Sequence, residues 1–410
     1  MMSARVLCRV GITMAVIAIG SLAFTRGNRT KLPSPSSVTA AREPGFTELG
    51  QRDIQIKVWH QALDADPTSA LVMGQLAALH LQRAREGGSP DDYTKAESYA
   101  RRSLGKRTNR NASTAGTLVS ILLAQHRFVE ARDIAAELVE WEPDTPEHRA
   151  ALGEVAMELG DDVTADRMFR SVWKDRGTLT IAARLARWLE LTNHVPEARR
   201  LLATARADAM LRRDVAGETK AWFALRVGDL ELRDGRTDAA EDAFREGLEI
   251  EPNDPRLLAA MARLAAVDRD YEDVIEWGEK SIGLQLDPAT LGLVGDAYAA
   301  KGNQAKADDY FRTLQVAVST QPGAYHRAWS LYLLDHGLQV SDVLAKAQDE
   351  LRDRKDVYGY DILAWALEKS GRRAEAQAAM RSALRLRTPD PLLRRHARVI
   401  GVDVPADAGA

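Results

Sequence analysis

An all-α fold is what this sequence predicts, and more narrowly a right-handed α-solenoid of about nine helix hairpins behind an N-terminal capping helix. Three observations carry that expectation. The apolar content is 45%, drawn mainly from Ala and Leu, with only 6% aromatic residues, a balance that favours helix. An alanine opening the apolar face of a helix recurs at Ala96, Ala131, Ala165, Ala198 and Ala240, gives way to Val274, and resumes at Ala307 and Ala376, in steps of 35, 34, 33, 42, 34, 33 and 69 residues. A bulky residue follows four positions later and often a proline eight beyond it, so one supersecondary unit repeats. The final long step skips a degenerate repeat near Asp342.

At the N-terminus, Arg5 and Arg9 precede Val10 to Phe24, a run of fifteen residues without a charge. A basic start, an apolar middle and the small-x-small exit Ser21-Leu22-Ala23 match a secretory signal peptide. A spanning helix needs about 20 apolar residues, so the run is short for an anchor, though a locally thinned bilayer would accept it. Arg26, Arg29 and Lys31 follow closely and leave no clear charge bias between the flanks. Residues 1–24 are therefore a signal peptide or a membrane anchor. The expected location is exported: periplasmic, or membrane-anchored and facing the periplasm or exterior. A cytoplasmic solenoid is a third reading. Residues 25–49 read as a Pro/Ser-rich linker, centred on Lys31 to Ala41, that detaches this segment from the rest. Cys8 is the one cysteine. A bulky Leu7 precedes it and the apolar run lies after it, which argues against lipid modification. With that segment cleaved, disulfides and thiolate metal sites are excluded by counting.

Within the repeating part the small residues keep register with the turns. Gly153 is followed by Gly160, Ala165 and Phe169; Gly228 by Gly235, Ala240, Phe244 and Pro252; Gly295 by Gly302, Ala307 and Phe311. Gly371, Ala376, Met380 and Ala383 close the series. The small positions let two antiparallel helices approach. Each Phe is expected to fill the wedge between one hairpin and the next, each turn glycine to end a first helix, and Pro143, Pro252 and Pro288 to stand where second helices stop. In this pattern the chain resembles the tetratricopeptide-repeat family from about Phe46 to Ile400. Nine repeats start near Pro67, Ala112, Pro146, Leu179, Ala221, Pro255, Pro288, Gly323 and Val357, with Asp53 to Leu63 as a cap bearing Trp59 and Ala62. The solenoid thus occupies residues 50–400 and residues 401–410 a flexible tail. Two stretches are long for the family: about ten extra residues between Ala77 and Tyr93, and about eight between Leu202 and Trp222. Extra length of this kind maps to loops or extended helices on the rim.

The resemblance implies that first helices line a concave face, which usually holds a peptide. The residue just after the small position points into it. In five consecutive repeats that residue is Glu154, Arg187, Asp229, Arg263 and Asp296, alternating in sign at each step. Such a ladder either pairs with itself, each exposed pair contributing ~0–1 kcal/mol, or forms a zwitterionic strip for a charged peptide. The family's carboxylate clamp is absent, because Glu154, Asp229 and Asp296 stand where it carries Asn.

A formal net charge of −3 with 28% charged residues points to no polyanion or polycation partner. Basic clusters at Arg101 to Arg110 and Arg381 to Arg398 lack interleaved aromatics, which argues against nucleic acid. The eight histidines show no metal-ligand spacing, and no phosphate-cradling or nucleophile sequence is present. No catalytic residue, cofactor or metal is expected. Leu76-Ala77, Arg83 to Glu86, Ala124 to Phe128, Asp335-His336-Gly337 and Ala364 to Leu367 are similar to a group of exported bacterial tetratricopeptide-repeat proteins, a likeness that implies no activity. Where that group has His-Ala-Gly, this chain has His396-Ala397-Arg398. The expectation is a non-enzymatic scaffold of the bacterial cell envelope that binds a protein or peptide partner in its groove, with possible membrane association through residues 1–24. A structural or assembly subunit of an envelope transport or secretion machine, and an enzyme with an unrecognised site, are the alternatives.

Overall fold

Helix hairpins with the expected phase make up the described residues. The computed structural model describes residues 48–87, 89–320 and 326–404. Helix α1 (Glu48–Ala65) precedes nine hairpins. These are α2 (Ala70–Gly87) with α3 (Pro90–Lys106), α4 (Ala112–Ala124) with α5 (Phe128–Trp141), and α6 (Pro146–Leu159) with α7 (Asp162–Ser171). Next come α8 (Leu179–Leu191) with α9 (Val195–Leu211), α10 (Gly217–Arg233) with α11 (Thr237–Ile250), and α12 (Pro255–Val267) with α13 (Tyr271–Leu284). The last three are α14 (Pro288–Ala300) with α15 (Gln304–Thr320), α16 (His326–Asp335) with α17 (Val340–Glu350), and α18 (Val357–Lys369) with α19 (Arg373–Ala383). Helix α20 (Pro391–Ile400) closes the array, and no strand occurs among the described residues.

The alanine pattern is the spine of the core. Ala96, Ala131, Ala165, Ala198, Ala240, Val274, Ala307 and Ala376 are all at most 1% exposed. In the third, fifth and seventh hairpins a first-helix glycine works against the Phe of the second helix. A Cβ on Gly228 would overlap the ring of Phe244, and one on Gly295 the ring of Phe311. Each ring also reaches onward: Phe169 stacks on Trp188 at 5.8 Å and Phe311 meets Tyr332 at 5.3 Å, both on the following first helix. The bulky position therefore fills the wedge between its own hairpin and the next, as the spacing predicts.

Turn chemistry follows from backbone sign. Gly160, Gly235, Gly302 and Gly371 adopt φ of 75° to 80°, the left-handed region that closes a helix C-terminus. Three other repeats place His126, Asn193 and Arg269 in that conformation at φ of 58° to 63°, which costs each of them about 1–2 kcal/mol. Aspartates start several helices: Asp254, Asp270, Asp287, Asp356 and Asp390 each accept a bond from a first-turn N–H. Pro288 belongs with these starts. It is the first residue of α14, so it opens a first helix instead of stopping a second one.

Both expected insertions are helix. Helices α2 and α3 run to 18 and 17 residues, and α9 and α10 to 17 each. The added turns bury Ala84 in the first case, and Ala205, Ala209 and Phe223 in the second. The cap, read as Asp53 to Leu63, is longer at both ends. Helix α20 was not anticipated; its Leu393, Ala397 and Ile400 are 0% exposed, and burying the two larger side chains contributes about 1.5–3 kcal/mol each. Each end of the array also holds a buried His–Asp pair: His80 Nδ1 with Asp92 Oδ1 at 2.9 Å, and His396 Nδ1 with Asp361 Oδ1 at 2.8 Å.

The array winds back on itself at two places. The Glu48 carboxylate of α1 accepts the Gly217 N–H through both oxygens at 2.9 Å, capping α10. At the other end the ninth hairpin returns to the third and fourth. Lys355 N donates to Leu159 O at 2.8 Å, Thr388 Oγ1 to Leu191 O at 2.7 Å, and Arg385 Nε to Asp162 Oδ2 at 2.6 Å. No helix among the described residues is long and apolar enough to cross a membrane. The expected signal or anchor at residues 1–24, nearly all of the 25–49 linker and residues 405–410 of the tail lie outside the described residues.

Gly228→Ala and Gly116→Ala separate close approach from helix propensity. The first is expected to lower unfolding free energy by about 1–3 kcal/mol, because Phe244 must move. The second, with nothing near its added Cβ, is expected to raise it by about 0.5–1 kcal/mol. Urea unfolding curves of the two variants provide the comparison.

Candidate functional site: the inner face of repeats three to seven

First helices of a stacked array share one inner face, and the five alternating charges lie on α6, α8, α10, α12 and α14. The structure joins two of them directly. Arg263 Nη2 donates to Asp229 Oδ1 at 2.8 Å across one repeat. The other three find partners elsewhere. Glu154 takes Arg184 Nε at 2.6 Å, one helical turn before Arg187. Arg187 donates to Glu190 Oε2 and to Tyr358 Oη, each at 3.0 Å. Asp296 faces His336 Nε2 at 3.4 Å, and this carboxylate raises the histidine above its ordinary value.

Three residues that the spacing did not single out dominate the centre. Glu190 is 4% exposed and gathers three guanidiniums: Arg187 at 3.0 Å, Arg226 at 3.5 Å, and Arg233 through Nε. Burial alone would push its carboxyl up. Arg187, Arg233 and Arg226 outweigh that and hold it at about 2. Burial lowers Arg226, and the neighbouring Arg233 adds to the effect. All three flank a rung by one helical turn: Glu190 follows Arg187 by three, Arg226 precedes Asp229 by three and Arg233 follows it by four. That offset was the available signal.

Tyr358 had no signal at all, since it lies 171 residues from Arg187. Its ring carries the Arg327 guanidinium at 4.3 Å and that of Arg187 at 5.6 Å. Burial raises the phenol, which keeps it a neutral hydrogen-bonding group. The loop before it also enters the face. Arg354 Nε donates to Glu158 O at 3.2 Å, its head meets the Glu158 carboxylate at 3.6 Å, and its guanidinium covers Phe128 at 4.9 Å. Burial raises Glu158, the largest effect there, against the pull of Arg354 and Arg187. A cavity of about 10 Å³ remains between Glu190, Arg233, Tyr358 and Thr388, room for one water. The open groove expected over this stretch is thus filled by the protein's own ninth hairpin. Beyond it the face opens: side chains of Glu154, Arg187 and Asp229 are 16–29% exposed, whereas Arg263 and Asp296 reach 45% and 48%. Among the described residues no group of three His, Cys, Asp or Glu side chains could hold a metal ion.

A tetratricopeptide-repeat family model matches residues 221–264, the stretch from α10 into α12 that holds Gly228, Gly235, Ala240 and Phe244. The chain carries a tetratricopeptide repeat there, and the hairpins before and after it keep the same phase. Solved structures to which this chain is similar include PilW, a widely conserved type IV pilus biogenesis factor. It is 18% identical over 51% of this chain and 94% of that one, with a TM-score of 0.43. A human IFIT1 dimer with m7Gppp-AAAA is 16% identical over 82% and 86%, at 0.47. The Cut9–Hcn1 hetero-tetramer of the APC/C is 14% identical over 86% and 73%, at 0.45. None of the curated proteins matches the chain in sequence.

Glu190→Gln is expected to destabilise the protein by about 2–4 kcal/mol, below the full cost of breaking a buried pair because the three guanidiniums keep some water. The folded carboxyl titrates below its ordinary 4.5, so its stabilisation is complete above that pH and is lost as pH falls toward 2. Thermal melts from pH 6 to about pH 2.5 are expected to show a shallower acid limb in the variant than in the unsubstituted protein.

Proposed function

We propose that this protein is a non-catalytic scaffold of the bacterial cell envelope, exported by residues 1–24 and holding a protein partner on the open part of its inner face. The tetratricopeptide-repeat fold is a protein-binding architecture; the location and the surface are the proposal. One observation carries the choice of surface. Of the five predicted inner-face charges, Arg263 and Asp296 stay exposed while the other three are drawn into contacts with their neighbours and the ninth hairpin. Beside them Phe311, Tyr332, His336 and Trp329 form a contiguous ring cluster with centroids 4.5–5.5 Å apart. Paired charges next to half-exposed aromatics suit an interface in which rings supply area and rim charges set register. The wedge of basic start, apolar run and small-residue exit at residues 1–24 supports export.

Crosslinking and capture with full-length protein in envelope extracts tests the surface. A partner recovered by the unsubstituted chain is expected to drop at least about tenfold with Arg263→Glu/Asp296→Lys, because like charges then face each other across the interface. The melting temperature should hold within a few degrees. Recovery unchanged by the substitutions sinks this surface. For export, fusion of a phosphatase that folds only outside the cytoplasm to residue 410 should give active enzyme, lost when residues 1–31 are removed.

A further inference from the structure

The ninth hairpin lies in the groove of repeats three and four as a ligand would. Residues Arg354 to Asp356 are outside any helix, and Asp356 is extended at φ −73°, ψ 167°. This short segment approaches the C-terminal end of α6, where the last carbonyls have no partner within their own helix. Lys355 N satisfies Leu159 O and Arg354 Nε satisfies Glu158 O. Arg187 then donates to the phenol oxygen of Tyr358, the second residue of α18.

The wall is shaped for a main chain. Gly160 ends α6, and a Cβ there would collide with the Lys355 carbonyl and the Asp356 nitrogen. Gly235, Gly302 and Gly371 hold the same backbone conformation at the matching turns, with open space where a side chain would go. Among these four equivalent turns, only the one at Gly160 has chain laid against it. The hairpin is held by a few hydrogen bonds, each contributing about 0.5–1.5 kcal/mol net, by ion pairs at half-exposed Arg354 and Arg385, and by Val357, Tyr358 and Leu386 packed on the apolar side chains of repeats three to five. A tethered segment acts at an effective concentration in the millimolar range, so weak contacts suffice to keep the groove shut.

We propose that Arg354 to Tyr358 is an intramolecular ligand of this groove, and that the groove takes in trans an extended peptide of the same chemistry: a guanidinium for the α6 C-terminus, a bare main-chain N–H over Gly160, and a phenol on Arg187. This rests on the scaffold reading and adds a second, gated surface to it. The ninth hairpin swings away as a unit, since Thr388 and Arg385 are docked with it.

The test uses the full chain and a labelled synthetic peptide of residues 351–360. Arg354→Ala/Arg385→Ala weakens the tethered ligand and leaves the groove wall intact. Hydrogen exchange at residues 351–358 should quicken. Fluorescence anisotropy should show the peptide binding at least about tenfold tighter than to the unsubstituted chain, because the occupied fraction no longer masks the site. Adding Gly160→Ala should abolish that binding, while adding Gly235→Ala, which has the same backbone strain, should not. Unchanged exchange at 351–358, or faster exchange without peptide uptake, or uptake indifferent to Gly160→Ala, overturns the proposal. Should the double variant fail to fold, Arg354→Ala alone is held to the same three readouts. Peptide uptake is measured with no partner present. Partner capture that ignores Arg263 and Asp296 would therefore sink the scaffold surface and leave this result standing, and the converse holds.

Discussion

The third, fifth and seventh hairpins depend on one steric fit: a first helix stripped of side chain where the bulky residue of its partner lies down. Gly228 under Phe244 and Gly295 under Phe311 are the clearest cases, since a single added carbon would overlap the ring. The fit brings two helices close, and the buried alanines at Ala240 and Ala307 let them stay close. Because the same ring reaches the next first helix, as Phe169 does to Trp188, the packing of one hairpin sets the position of its successor. Nearest-neighbour burial of this kind has no end of its own. It needs caps, and the chain supplies them in α1 and α20.

Stacking in a fixed direction also curves the array, and here the curvature is enough to bring distant repeats together. Glu48 reaches Gly217 at one end, and Lys355 reaches Leu159 at the other. The electrostatics of the inner face follow from that closure. Three guanidiniums around Glu190 would be poorly placed on an open, wet surface, where such pairs contribute little. Inside the narrowed groove they are shielded, and the carboxyl is held at about 2. Tyr358 fits between Arg187 and Arg327 because its ring faces attract cations while its hydroxyl accepts a bond.

Division of the inner face into a filled part and an open part is the feature that bears on function. Repeats three to five spend their charges on one another and on the ninth hairpin. Repeats six and seven keep Arg263 and Asp296 in reach of solvent beside a row of aromatic rings. The second region is open and the first is occupied.

Helix phase was legible because it obeys local rules. The alanine spacing, the turn glycines at Gly160, Gly235 and Gly302 and the position of each small residue depend on neighbours within one hairpin, and about thirty-four residues contain them all. Helix α20 and the aspartate caps are legible too in principle, through Asp390-Pro391, though Arg394, Arg395 and Arg398 interrupt the apolar stripe of Leu393, Ala397 and Ile400. The inner-face residues of the five repeats could be placed, but not all of their partners. Arg263 met Asp229 because that contact spans one repeat, whereas Arg187 met Tyr358, 171 residues on. Which surface is covered depends on the summed curvature of many small inter-repeat rotations. No single residue encodes that sum, so sequence spacing could specify the hairpins and their inner-face charges, while only the assembled superhelix decided which of those charges would be buried.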